Sequence, residues 1–310
     1  MDSAPIGIFD SGLGGLTVAR AVMDKLPHER IVYLGDTAHT PYGPRPIAQV
    51  RQLALTCLDE LVERGVKALV IACNTATAAA LSDARERYTA QQGIPVIEVI
   101  TPAARSAIRA THNRRIGIIG TSATIQSQAY NQALAAVPDV SVFSAACPRF
   151  VEFVEAGITT GPELEAVARD YLAPLIDADV DTVILGCTHY PLLTGIISQT
   201  MGEDVALVTS SEATANDTYK LLVERDMTAP IPEQASTEQS VLTEPAHEFL
   251  TTGAPETFEH LARRFLGPEV RSAHNIHGPA STADARLARD GTPPDAAPDT
   301  PRKEIGRAHV

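Results

Sequence analysis

Short runs of consecutive apolar residues alternate along most of this chain with longer stretches in which apolar positions recur every three or four residues. The runs Ile6–Phe9, Arg30–Leu34, Lys67–Ala72 and Pro95–Val99 have strand length and the Ile, Val and Leu content of buried strands. Between them, Gly14–Leu26, Ile47–Arg64 and Ala76–Tyr88 show helical spacing, and Pro27 and Gly65 stop the first two. Gly35–Pro46 is too rich in Gly, Pro and Thr for either element and reads as a loop.

The alternation then starts afresh. Helices are expected over Thr101–Thr111, Ser127–Ala136, Gly161–Ile176, Leu192–Met201 and Glu212–Arg225, with strands at Arg115–Ile119, Val140–Ala145, Thr182–Leu185 and Val205–Val208 between them. Strands separated by helix-length crossovers imply parallel sheets covered on both faces. Thr228–Pro245 reads as a connection and Pro255–Leu266 as one more helix, ended by Gly267 and Pro268. Beyond it the composition turns to Pro, Ala, Asp, Thr and Gly, so residues 268–310 are expected to be a disordered tail. Its last residues, EIGRAHV, look like a translated sequencing adapter.

Two pairs of segments repeat at nearly one offset. IGIFDSGLGG from Ile6 is echoed by IGIIGTSATI from Ile116, and LVIACNTAT from Leu69 by VILGCTHYP from Val183. In the second pair each apolar run ends in a cysteine, Cys73 or Cys187, followed by small hydrogen-bonding residues. An internally duplicated α/β unit follows, with two thiols at equivalent strand ends facing one cleft. Ligands of such folds bind beyond the carboxyl ends of the strands.

Composition narrows the function. The chain has 310 residues and 44% hydrophobic content, enough for two domains. Its 38 acidic against 25 basic residues, net −13, disfavour nucleic acid or an anionic membrane as partner. No apolar stretch is long enough to span a bilayer, and the start lacks a signal peptide, so a cytoplasmic location is expected. The four cysteines, Cys57, Cys73, Cys147 and Cys187, contain no CxxC and suggest neither disulfides nor a zinc site.

Cys57 falls among leucines inside a helix and reads as a core residue. Cys73 and Cys187, each just before a helix, should feel backbone N–H groups and the helix dipole, which lower a thiol pKa. Asp10, at the end of the first strand, could take a thiol's proton or bind an ammonium group. The glycines after it do not fit a dinucleotide fingerprint. His189 beside Cys187 is a proton partner more readily than a metal ligand, so no metal is expected. Tyr42 and Gly43 could close over a ligand; Glu155 is one of two glutamates in FVEFVEAG, and either could face inward.

Together FDSGLGGLTVAR, PYGPR, ACNTATAAAL, GIIGTSATI, CPRFVEFVEAG and LGCTHYPLL closely resemble the glutamate racemase family over about Ile6 to Gly267. The aspartate racemases are similar, but carry a glutamate where this chain has His189. The resemblance implies cofactor-independent racemisation of glutamate, supplying D-glutamate for peptidoglycan. It implies Cys73 and Cys187 as the two acid/base residues, assisted by Asp10 on one side and by His189 with Glu155 on the other. Asp10, Ser11, Tyr42, Gly43, Asn74, Thr75, Thr121, Thr124, Thr188 and His189 would contact the substrate. The implied fold is two similar doubly wound α/β domains with the active site in the cleft between them. Residues 1–99 with 209–267 would form the first and 100–208 the second. No lysine lies in the motifs, so no pyridoxal cofactor is expected. A covalent thiol hydrolase or lyase and a gyrase-inhibiting regulatory protein stand as alternatives, and a homodimer stays open.

Overall fold

The computed structural model describes residues 1–230, 246–270 and 272–276. Strands β1 (Ile6–Asp10), β2 (Ile31–Gly35), β3 (Ala68–Ile71) and β4 (Val96–Glu98) form a parallel sheet in the order β2-β1-β3-β4. Strands β5 (Arg115–Gly120), β6 (Ser141–Ala146), β7 (Thr182–Gly186) and β8 (Ala206–Thr209) form a second one in the order β6-β5-β7-β8. The two orders are the same under renumbering, so the duplication legible in the motifs is a duplication of topology. Register places equivalent ends level: Phe9 pairs with Ile71 in one sheet and Gly120 with Gly186 in the other.

The crossovers are α1 (Leu16–Lys25), α2 (Ile47–Glu63) and α3 (Asn74–Ala84) in the first half. After α4 (Ile100–Ala110) come α5 (Ser122–Gln126), α6 (Ala129–Leu134), α7 (Arg149–Glu155), α8 (Pro162–Asp177) and α9 (Thr194–Met201), then α10 (Ser210–Glu224) and α11 (Pro255–Leu266). The central strands β1, β2, β3 and β7 are buried throughout because helices cover both faces of each sheet. In the first, Ile6 and Ile8 pack with α1, α10 and α11, whereas Leu34, Leu69 and Ile71 pack with α2 and α3. In the second, Val183 and Leu185 meet α7, α8 and α9; Ile118 and Ile184 meet α4 and α6. With both faces apolar, polar side chains collect at the carboxyl ends of the strands. Cys57 is buried on α2 as expected.

Several boundaries differ from the sequence reading, each for a local reason. The helix expected over Ser127–Ala136 is the shorter α6, separated from an unanticipated α5 by Gln128 in a left-handed conformation (φ 57). CPRFVEFVEAG, given no element beforehand, forms α7 behind Pro148. Strand β9 (Glu248–Thr251) was not anticipated from four residues in a Thr-rich setting; it adds to β2 in parallel. Part of the segment expected to be a tail from residue 268 packs on the fold. Val270 and Ala273 are buried in the same core as Ile6, and β10 (His274–Asn275) pairs with β9. Two isolated apolar residues show no periodicity in sequence, yet the open edge of β9 supplies backbone partners. Most of the connection expected over Thr228–Pro245, and residues 277–310, lie outside the described residues.

Candidate active site

Cys73 follows β3 and is the N-cap of α3. Its extended backbone turns the sulfur over the first helical turn, where it accepts the Ala76 N–H at 3.4 Å, while the thiol donates to Ser11 Oγ at 3.3 Å. Burial and then the neighbouring charge of Asp10 nonetheless push Cys73 up to about 12, outweighing the lowering by Ser11 and Ala76. The lowered pKa expected from the helix N-terminus is thus overturned: this sulfur is desolvated more than it is solvated by amides.

Cys187 follows β7 in the matching position, but no α-helix starts there. A single 3₁₀ turn, Tyr190–Leu193, intervenes and α9 begins at Thr194, so the dipole argument does not apply to this thiol. Its electrostatic partner is a side chain instead. His189 Nδ1 lies 3.8 Å from Cys187 Sγ, and Nε2 lies 3.4 Å from Glu155 Oε1, an ion-pair separation not aligned as a hydrogen bond. Burial works against the imidazolium, but Cys187 and Glu155, then the charge of Asp10, more than compensate and hold the His189 pKa at about 10.

The turn after β1 delivers the counterpart from the first half. Asp10 is fully buried; its Oδ2 accepts the Gly12 N–H at 2.9 Å, and Oδ1 has no hydrogen-bond partner among the described residues. Burial raises its pKa, opposed by the charge of His189 and the amides of Gly15, Gly12 and Ser11. A Cβ on Gly14 would stand 2.6 Å from His189 Nδ1, and one on Gly15 2.5 Å from Asp10 Cβ. These two glycines let the turn pass between Asp10 and the Thr188–His189 pair.

Cys73 and Cys187 line one cavity of about 30 Å³. Ser11, Asn74 and Thr75 flank Cys73 on it; Thr121, Thr188 and His189 come from the second sheet, with Val151 of α7. Tyr42 and Gly43 form its rim with Thr40 and Pro41. That loop is held from both sides: the Tyr42 hydroxyl donates to Asp36 Oδ2 at 2.6 Å, and Gly43 O accepts the Ala123 N–H at 3.2 Å. The Tyr42 hydroxyl is therefore committed away from the cavity.

Three of the expected residues stand behind the wall rather than on it. Asp10 lies under Ser11, Glu155 reaches the site through His189, and Thr124 joins Thr75 and Thr121 in a triangle of hydroxyls with sides of 3.0, 3.0 and 3.2 Å. Sequence reasoning missed Tyr130, whose hydroxyl donates to Asn74 Oδ1 at 2.7 Å, and Phe265, edge-on to His189 with centroids 6.3 Å apart. Neither belongs to a quoted motif, so no motif marks it.

A duplicated doubly wound α/β fold with one thiol from each half on a shared cavity defines a racemase-type protein. Residues 17–218 match the model of the Asp/Glu/Hydantoin racemase family, more than half of the chain, and the chain belongs to that family. It is 60% identical over 275 residues to the glutamate racemase of Beutenbergia cavernae, an alignment covering 89% of this chain and 94% of that one. Among solved structures it resembles glutamate racemase isoform RacE1 of Bacillus anthracis, at 41% identity and a TM-score of 0.79, covering 86% of this chain and 95% of that one. It also resembles the Francisella tularensis glutamate racemase in complex with D-glutamate, at 35% identity and a TM-score of 0.78, covering 88% and 97%.

Proposed function

We propose that the protein interconverts L- and D-glutamate without a cofactor, with Cys73 and Cys187 as the two acid/base groups, and that its D-glutamate serves peptidoglycan synthesis. The observation that carries this is the pair of thiols, one from each half, on a single cavity; the 60% identity to a glutamate racemase supports the substrate.

Inverting an α-carbon requires a proton to leave one face and another to arrive on the opposite face. One thiolate takes the α-hydrogen, forming S–H; the C–H electron pair moves into the substrate carboxylate; the second thiol gives its proton to the other face. His189, held as a cation, stands beside Cys187 at 3.8 Å, while Cys73, pushed up to about 12, rests as the thiol. Asp10 and Glu155 act through Cys73 and His189 in turn. Donors from Ser11, Asn74, Thr75, Thr121 and Thr188, with backbone N–H groups at Tyr42 and Gly43, would hold the substrate and stabilise the charge that develops on its carboxylate. A cavity of about 30 Å³ has room for about two waters, so glutamate enters only after the walls part.

The test is incubation with L-glutamate in D₂O with no added cofactor, expected to yield α-deuterated D-glutamate. Cys73→Ser and Cys187→Ser should each suppress it. A covalent enzyme–substrate adduct caught by mass spectrometry, or a requirement for pyridoxal phosphate, would sink the mechanism.

A further inference from the structure

Asn74 follows Cys73 directly, lines the cavity, and is 3% exposed. A primary amide is nearly symmetric in shape and can present either its oxygen or its nitrogen to a ligand, with opposite consequences for an anion. What decides the matter is Tyr130, on α6 of the other half. Its hydroxyl lies 2.7 Å from Asn74 Oδ1, which is its hydrogen-bond partner among the described residues. The phenol is 2% exposed; burial, and then the charges of Glu98 and Cys187, raise its pKa, so it keeps its hydrogen.

That hydrogen needs an acceptor. If the amide were flipped, the NH₂ group would face the phenol and leave the buried phenolic hydrogen unpaired, which costs more than the bond gained. In the orientation that satisfies Tyr130, Asn74 Nδ2 is the free end, buried and with no hydrogen-bond partner among the described residues. The same ring also packs on the opposite wall: a Cβ on Gly186, the residue before Cys187, would lie 3.0 Å from Tyr130 Cε2. Tyr130 thus touches the neighbour of each cysteine.

We propose that Tyr130 is a positioning residue: by holding Asn74 Oδ1 it fixes the Asn74 amide with its NH₂ directed into the cavity, as a donor to a carboxylate of the amino-acid substrate. This rests on the racemase reading of the site and adds the residue that sets the polarity of one substrate contact. It also accounts for an aromatic residue placed against a backbone glycine beside the reacting thiol, where only Gly leaves room for the ring.

Tyr130→Phe keeps the ring and removes the bond. Losing one neutral hydrogen bond that orients a ligand contact should raise KM for both enantiomers of glutamate by about three- to tenfold, with kcat little changed. The decisive comparison is with Asn74→Ala: once Asn74 is gone, Tyr130→Phe should add nothing further to KM. Calorimetric binding of D-glutamate should follow the same pattern. In the unliganded protein the bond itself is read by melting temperature, where the losses from the two single variants should exceed the loss from the double variant. Wild-type KM in Tyr130→Phe, KM effects that multiply in the double variant, or melting losses that simply add would each overturn the proposal. Wild-type protein inert towards glutamate would refute the racemase reading instead, and the melting comparison would still judge whether Tyr130 holds Asn74.

Discussion

Gly14→Ala isolates the contact by which the first half shapes the second half's acid/base pair. Gly14 sits in the turn after β1 with a backbone conformation open to any residue, so only space is at issue. Its added Cβ would stand 2.6 Å from His189 Nδ1 and 2.8 Å from Cε1, with Thr188 Oγ1 closer still. Carbon needs well over 3 Å, so the imidazole has to give way by more than half an ångström. The ring is hemmed in by Cys187 at 3.8 Å, Glu155 at 3.4 Å and Phe265. Overpacking of this kind costs about 1–3 kcal/mol. If that falls on the geometry of the Cys187–His189 pair, kcat drops about 5- to 150-fold. The assay is racemisation in each direction by optical rotation or circular dichroism, with melting temperature measured alongside. Should the halves instead separate as rigid bodies, KM would rise and kcat would hold. A Gly14→Ala variant with unchanged kcat, KM and melting temperature would refute the claim that this turn abuts His189.

Two further outcomes follow from charges on the structure. Glu155 favours the imidazolium of His189, whose pKa of about 10 is raised above its ordinary value. Charge-assisted stability and activity tied to that cation are therefore full below about 6.5 and fade as pH rises through about 10. Glu155→Gln should move the alkaline limb of the activity profile to lower pH. The move should be under about one pH unit, because Glu155 is 39% exposed and such pairs are worth at most about 1 kcal/mol. An alkaline limb that stays put would remove Glu155 from the His189 pair. Far from the cavity, at the amino ends of β2 and β3, Lys67 Nζ lies 2.6 Å from Glu29 Oε2, with both side chains buried. Lys67→Met should cost about 3–5 kcal/mol by stranding the carboxylate, and Lys67→Met with Glu29→Gln should recover most of it. Thermal denaturation reads both, with KM for glutamate unchanged wherever the protein is folded.

Signals that depend on a residue and its immediate neighbours were legible in the sequence; those that depend on what packs from elsewhere were not. The apolar runs gave the central strands β1, β2, β3, β5 and β7, because strands buried on both faces must be apolar whatever surrounds them. The repeated motifs located both cysteines and most of the cavity wall. The helix expected over Leu192–Met201 starts only at Thr194, since Tyr190-Pro191-Leu192-Leu193 closes into a 3₁₀ turn that separates Cys187 from α9. The assumption of lowered thiol pKa failed at Cys73 because burial, invisible in a linear sequence, outweighs one amide contact. Strands β9 and β10 escaped notice because their pairing is conferred by β2 and then β9, not encoded in EFLT or HN. Tyr130 and Phe265 carry no motif, and their relevance exists only once the halves meet.

The halves match in strand order and differ in what accompanies each thiol, and that difference is what a duplicated enzyme of this kind would need. Two identical half-sites would give both sulfurs the same proton affinity, so a single charge would be shared equally between the two ends of the cavity. Here the residue two places beyond the first cysteine is Thr75, neutral and tied to Thr121 and Thr124, whereas two places beyond the second is His189, buried and cationic. Asp10 adds negative charge near Cys73 and also stabilises the His189 cation, so a single carboxylate biases both ends in the same sense. On the proposed mechanism this keeps the resting proton on Cys73 and places the cation beside Cys187. The symmetry of the fold then supplies the two opposed faces, and the asymmetry of these neighbours makes the two ends chemically distinct.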